Sequence, residues 1–216
     1  GVSVSQQGQK HVSQSHNSGL NDWLAHHGIE IPRELVLDTQ NSGFPLLRKR
    51  NIGGITLTER YIAPNYPFFI DVRSKGINQE NPITSGLQDI NMTWASPVIV
   101  SQEKNKMRKV TSLLKSSKDS WRSKDISIEP NEGLYPGFGF PQGSEKGASN
   151  LAVMLEGQFN SYFTGKESPL VEAEQAKSDS KSKDKSEKED QKTGVVTSVL
   201  EKSPKIARII VFATNE

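Results

Sequence analysis

The 216-residue sequence contains no cysteine, which excludes disulfide bonds, thiolate catalysis and metal centres with cysteine ligands. Apolar residues are scarce, at 33% of the chain. The 27 basic and 25 acidic residues nearly balance, so no strong positive field favours nucleic acid. No apolar run approaches the ~20 residues that cross a bilayer, and residues 1–18 are polar rather than signal-like. We therefore expect neither nucleic-acid binding nor a membrane span within this sequence.

Sequence motifs of the common catalytic sites are missing or incomplete. Neither the phosphate-binding sequence GxxxxGK[ST] nor the nucleophile elbow GxSxG is present. The glycine-rich stretch 137–143 contains Pro141 and precedes a predicted strand, whereas a phosphate cradle needs a helix. His26 and His27 are adjacent, and neighbouring side chains on a helix project ~100° apart, which disfavours a shared metal ion. The sequence therefore predicts no catalytic residue, no cofactor and no metal site.

One charged segment divides the chain. Residues 177–193 contain no apolar side chain and alternate lysine with aspartate and glutamate. Such a tract cannot bury enough surface to offset its ordering entropy, which predicts a disordered insertion; a solvated helix held by Glu–Lys pairs is the alternative. We expect residues 1–18 to be a flexible lead-in and residues 19–216 to form a single domain fragment, cut from a longer polypeptide.

Local patterns predict the fold class. Apolar positions spaced as in a helix, between Ser18 and Gly28, indicate a short capped helix. Residues 41–55, which carry Gly53 and Gly54, are interpreted as a long exposed loop. Strand patterns occur at residues 34–38, 66–72, 92–101, 110–116, 151–155 and 205–213. The last two segments are apolar on both faces, as in a covered parallel strand, so we expect an α/β fold with a mixed, largely parallel sheet, flanking helices and long loops.

Aromatic residues supply the candidate contact sites. Tyr66 and Trp94 belong to strand patterns and Tyr61 lies just before the first of these two; all three could line a groove for sugar or peptide or pack in the core. Trp121 lies in the polar sequence SSKDSWRSKD, which suits a loop anchor, a partner contact or a lid over the core. These four residues are the candidate ligand or partner contacts.

Several segments, in the same order along the chain, resemble the auxiliary, substrate-binding-like component of gliding-motility ABC transporters, the GldG-type family. The segments are GLNDWLAHHGIEI (19–31), ELVLD (34–38), NYPFFIDV (65–72), NPIT (81–84), WASPVIV (94–100), TSLLKSS (111–117), LAVMLEGQFNSYF (151–163) and SPKIARIIVFATNE (203–216). The resemblance covers most of the chain from Gly19 onward, apart from the charged insertion.

The resemblance implies a non-catalytic extracytoplasmic, periplasmic domain, tethered to the inner membrane in the full-length protein. It implies work beside an ABC permease and an ATPase. Taken together with the aromatic residues, it leads us to expect a polysaccharide or a protein as ligand. Two alternatives stay open: a degenerate or active amidotransferase- or hydrolase-like α/β enzyme domain, and a purely structural module that couples membrane subunits.

Overall fold

The computed structural model describes residues 2–7, 10–15, 19–63, 65–125, 127–166 and 200–214; for residues 2–7, 10–15, 46–49, 61 and 63 it describes the backbone alone. The one α-helix in these ranges is α1 (Leu20–His26). The strands are β1 (Val2–Gln7), β2 (Lys10–Ser15), β3 (Ile29–Glu30), β4 (Leu35–Leu37), β5 (Phe44–Ile52), β6 (Ile55–Ala63), β7 (Phe69–Arg73), β8 (Asp89–Thr93), β9 (Ile99–Val100), β10 (Lys109–Lys115), β11 (Trp121–Ser123), β12 (Asn150–Gly157) and β13 (Ala207–Phe212).

The strands form small sheets. Five antiparallel pairs are β1 with β2, β3 with β9, β4 with β11, β5 with β6 and β7 with β8. A three-stranded sheet has the order β10-β12-β13. The chain divides into two compact units, one of residues 1–155 with 208–216 and the other of residues 156–207. In the second unit, the Phe159 amide donates to the Ser203 hydroxyl at 2.9 Å, and Asn160 bridges Lys202.

The predicted α/β fold with a largely parallel sheet and flanking helices is wrong. The described chain is mostly β-strand, in small antiparallel sheets, with one seven-residue helix. Strands that are apolar on both faces are typical of a parallel sheet between helices. In this protein, the side chains of β12 are buried on both faces without a helical layer. Leu151, Ala152 and Met154 enter one hydrophobic cluster, while Val153 and Leu155 are buried outside it.

The local predictions had mixed outcomes. The short helix is confirmed, with Gly28 just past its end at φ 78°, although Ser18 lies outside the described residues and Gly19 occupies the N-cap position. The strand predicted at residues 151–155 is confirmed as part of β12, which lies between β10 and β13.

Two other expectations are wrong. The predicted loop at 41–55 contains β5 and the start of β6, joined by Gly53 and Gly54, both with positive φ. The expected two-sided burial of β13 is also wrong, because its side chains alternate between half-buried and exposed. The charged segment 177–193 lies outside the described residues. The division of the chain at residue 18 stays a prediction; the backbones of residues 2–7 and 10–15 form the β1–β2 pair.

Strand β4 separates two hydrophobic clusters of the first unit. Val36 points into the first cluster, which contains buried residues of β7, β8, β10 and β12. Leu35 and Leu37 point into the second, which is rich in aromatic rings. Because successive side chains of a strand face opposite ways, a strand between two clusters is buried at every position. All three residues of β4 are buried, and Asp38 follows them directly.

Candidate functional site

Of the aromatic residues singled out from the sequence, Tyr66 and Trp121 belong to the second, aromatic-rich cluster and Trp94 packs against it. Tyr66 is fully buried, and its hydroxyl donates to the Ile128 carbonyl at 2.7 Å. Burial raises the pKa of Tyr66, which keeps the phenol neutral. Trp121 is also buried, and its indole N–H donates to the Pro141 carbonyl at 3.1 Å. Tyr61 faces Leu46 in the β5–β6 register, and its side chain lies outside the described part.

Trp94 has an unusual backbone conformation, with φ at 43°. A bulky residue pays ~1–2 kcal/mol for this left-handed region. The half-buried indole packs edge-to-face against Phe69 at 4.8 Å and Phe44 at 5.6 Å, which offsets part of that cost. Three of the four candidates therefore pack against the interior of the protein, and their role as ligand contacts stays a prediction.

A polar cleft of about 500 Å³ lies on the outer side of Trp121, between β11 and residues 143–149. Gly143 allows the loop to approach the indole, because a Cβ at this position would lie 3.1 Å from Trp121 side-chain atoms. Trp121 also forms an antiparallel bridge with Lys146. The loop is therefore held against the strand at both Gly143 and Lys146, and the cleft is preformed.

A ladder of buried serines is joined to the wall of this cleft through the lining residues Gly147 and Ser149. The Ser116 and Ser120 hydroxyl oxygens lie 2.7 Å apart, and the Ser149 amide donates to the Ser116 hydroxyl at 2.8 Å. The Ser120 hydroxyl donates to the Gly147 carbonyl at 2.7 Å, and the Gly147 amide returns a bond to the Ser120 carbonyl at 2.9 Å. Buried hydroxyls with satisfied hydrogen bonds fix one geometry, so the ladder makes the loop rigid.

Asp38 ties the ladder to strand β4. Its carboxylate is fully buried and accepts the Ser117 amide at 2.7 Å, the Ser117 hydroxyl at 2.6 Å and the Gln40 amide at 2.9 Å. Hydrogen bonds to an ionised acceptor are roughly twice as strong as neutral ones. The carboxylate therefore anchors the turn that carries the serine ladder, and its hydrogen-bonding capacity is used inside the protein.

The mouth of the cleft carries charges of both signs. Arg122, Glu145 and Lys146 are exposed lining residues. The Arg122 Nε donates to the Ser149 hydroxyl at 3.3 Å, which links the exposed guanidinium to the buried ladder. A preformed polar wall with mixed charges at its mouth suits a charged or polar segment of a partner molecule.

Sequence reasoning missed this cleft because its parts are distant in sequence. The cluster SSKDS at residues 116–120 and the glycine pair at 143 and 147 are visible signals of a polar turn and a close-packed loop. Neither signal shows that the two segments meet, or that Asp38 lies beneath them.

The side chain of His27 packs against two neighbouring rings. His27 is buried, with its ring centroid 4.5 Å from that of Trp23 and 4.9 Å from that of His26. The Arg108 Nη1 donates to the His27 carbonyl at 3.2 Å. Burial, with the nearby charges of His26 and Arg108, lowers the pKa of His27 to about 4. Within the described ranges, no three His, Asp or Glu residues group as metal ligands.

A second depression, of about 750 Å³ and more open, lies between the turns at residues 74–79 and 85–88. Beside it, Thr84 is fully buried and its hydroxyl donates to the Asn78 carbonyl at 2.6 Å, whereas the cleft beside Trp121 adjoins a linked set of buried serines. We therefore take the cleft beside Trp121 as the candidate site.

Comparison with protein families gives the biological context. A family model described as an ABC-type uncharacterized transport system matches residues 1–215. The chain belongs to this family. Members of the family are auxiliary components of an ABC-type transport system, so the prediction of such a component is confirmed at this level. No curated protein and no solved structure matches the chain. None of the described helices has the length and apolar character needed to cross a membrane.

The Asp38 anchor predicts a specific loss of stability. Asp38→Asn replaces one carboxylate oxygen by an amide NH2 group, which would face a hydrogen-bond donor and could not accept from it. We therefore expect the free energy of unfolding to fall by about 2 kcal/mol. Urea unfolding followed by fluorescence measures this change. Asp119→Asn alters an exposed carboxyl in the same turn and should shift stability by less than about 0.5 kcal/mol. Equal effects of the two substitutions would contradict the anchor.

His27 predicts a pH dependence of stability. Its folded pKa of about 4 lies below the ordinary histidine value of 6.5, so between these values the unfolded chain binds a proton that the folded chain does not. The free energy of unfolding should therefore fall as the pH drops from 6.5 to 4. His27→Gln should remove this part of the slope, whereas His26→Gln, at an exposed position, should retain most of it. Parallel slopes for wild type and His27→Gln in urea titrations would show that the assignment is wrong.

Proposed function

We propose that the chain is a non-catalytic, extracytoplasmic auxiliary component of a gliding-motility-type ABC transport system, and that it binds a protein partner through the cleft beside Trp121. The family match over residues 1–215 carries the proposal, because it places the chain in an ABC-type transport system as an auxiliary component. Such a component works beside a permease and an ATPase, which are the partners proposed here.

The extracytoplasmic location and the gliding-motility type are supported by the resemblance of ordered segments, from GLNDWLAHHGIEI at 19–31 to SPKIARIIVFATNE at 203–216. In this proposal the full-length protein is tethered to the inner membrane by segments outside the sequence described above. The cleft then faces the space in which permease loops and envelope proteins lie.

The chemistry of the cleft favours a protein ligand over a polysaccharide. Sugar-binding sites commonly offer an open aromatic face, but the Trp121 ring is buried behind the cleft and is covered at Gly143. The mouth instead offers the charges of Arg122, Lys146 and Glu145. Mixed charges recognise a partner segment of complementary sequence, because each like-charge contact penalises an incorrect partner. Trp121 contributes by shaping the wall of the cleft.

A non-catalytic role is supported by the way in which the polar groups are used. The Ser116 and Ser120 hydroxyls bond each other and main-chain atoms. The Asp38 carboxylate is buried beneath Ser117. Catalytic nucleophiles need an adjacent base and access to substrate, whereas these groups are engaged in fixing the loop.

The experiment is affinity purification of the tagged full-length protein from native membranes after crosslinking. We expect the ABC permease and the ATPase to be recovered with it. The double substitution Arg122→Glu with Lys146→Glu should lower their recovery about tenfold, because charge reversal at the cleft repels the partner. Lys75→Glu with Lys106→Glu makes the same charge change at exposed positions that do not line this cleft and should leave recovery unchanged.

The possible results separate the two parts of the proposal. Reproducible failure to recover permease and ATPase with the wild-type protein would refute the transport-complex role. Recovery that is equal for the cleft variant and its control would retain the complex but refute the cleft as its contact surface. Thermal unfolding of both variants shows whether the substitutions preserve the fold.

A further inference from the structure

Strands β5 and β6 form a long two-stranded ribbon. Nine residues of each strand pair in register, from Phe44 opposite Ala63 to Ile52 opposite Ile55. Gly53 and Gly54 turn the chain with φ of 60° and 83°, as the tight hairpin turn with two left-handed residues requires. At the base, Phe44 is buried in the aromatic cluster, where its ring stacks on Tyr66 at 4.5 Å. The ribbon is therefore rooted in the core at one end.

The other end of the ribbon is exposed and apolar. Every residue from Arg50 to Arg60 is exposed, including Ile52 at 55%, Ile55 at 66% and Leu57 at 51%. Ile52 and Ile55 face each other across the strands, and Leu57 follows Ile55 by two residues, so the three side chains share one face. Isolated two-stranded hairpins are marginally stable in water, and a contiguous apolar tip adds a further cost. The tip is a surface that a less polar environment would stabilise.

The charge of the ribbon points to the nature of that environment. Its sequence contains four basic residues, Arg48, Lys49, Arg50 and Arg60, against one acidic residue, Glu59. Arg50 pairs directly opposite Leu57, so positive charge begins beside the apolar tip. Apolar side chains flanked by basic residues match the interface of a bilayer with anionic lipids, where basic groups meet headgroups and apolar groups enter the acyl boundary.

We propose that the tip of this ribbon inserts into the headgroup region of an anionic lipid bilayer and thereby fixes the orientation of the domain on the membrane. The proposal uses the family's membership in an ABC-type transport system for the presence of a bilayer, and it is independent of the cleft beside Trp121. The alternative is that the apolar tip docks into a groove on another protein. In that case the tip would not respond to lipid, and the test below distinguishes the two.

The first measurement is cosedimentation of the purified chain with vesicles. Vesicles of phosphatidylcholine with about one quarter phosphatidylglycerol should bind the wild-type chain at least about tenfold more strongly than pure phosphatidylcholine vesicles, and added salt should weaken the binding. The triple substitution Ile52→Ser, Ile55→Ser and Leu57→Ser should reduce the partition coefficient at least about tenfold. Arg50→Glu with Arg60→Glu should abolish the preference for anionic vesicles.

The matched control changes three exposed apolar residues elsewhere on the chain: Ile83→Ser, Met107→Ser and Leu134→Ser. This control should bind vesicles as the wild type does. The proposal is overturned if the wild-type chain does not partition, or if the ribbon variant and the control partition equally. Since the assay needs no permease, its failure is distinguishable from failure of the transport-complex role.

A second measurement distinguishes insertion from adsorption and does not depend on the folding of the triple variant. Because the chain has no cysteine, Ile55→Cys provides a unique site for an environment-sensitive fluorophore. Anionic vesicles should shift its emission to the blue, while the same label at Met107→Cys should not respond. An unchanged emission at position 55 in the presence of vesicles would overturn insertion and favour a protein groove as the occupant.

Discussion

The structure depends on strand β4, which is buried on both faces and ends in a buried carboxylate. Val36 packs on one side and Leu35 and Leu37 on the other, so one short strand joins two hydrophobic clusters. Asp38 then turns the same segment into a polar anchor, through its bonds to Ser117 and to the Gln40 amide. A shift of this strand by one residue would place apolar side chains in the wrong clusters and Asp38 away from its donors.

Both exposed elements are connected to this anchor. The cleft-lining residues Gly147 and Ser149 bond serines on the turn that Asp38 holds, so the charged mouth is presented by a fixed wall. The ribbon begins at Phe44, whose ring lies in the same aromatic cluster as Leu35 and Leu37. In our account, a static core holds a cleft that contacts a transport partner and a ribbon that contacts the bilayer.

Sequence patterns predicted the elements whose signal is local. The helix ended by Gly28 and the strand core at 151–155 follow from periodicity and a glycine stop. The fold class could not be predicted correctly from these patterns. Burial on both faces of a strand does not distinguish a parallel sheet covered by helices from strands packed between small sheets. The loop predicted at 41–55 rests on Gly53 and Gly54, but a Gly-Gly pair is also a hairpin signal, and in the structure it joins β5 to β6. The cleft needs contacts between residues more than twenty positions apart, such as Ser116 with Ser149, which local patterns do not encode.

Hydrogen exchange, measured on the full-length protein alone in detergent and again in native membranes, tests the account most directly. It predicts new protection at residues 143–149 and at the ribbon tip, residues 50–57, with no change in the slow exchange of β12. Protection that arises elsewhere, or a change in β12 while both exposed elements stay unprotected, would contradict a static core with two contact surfaces.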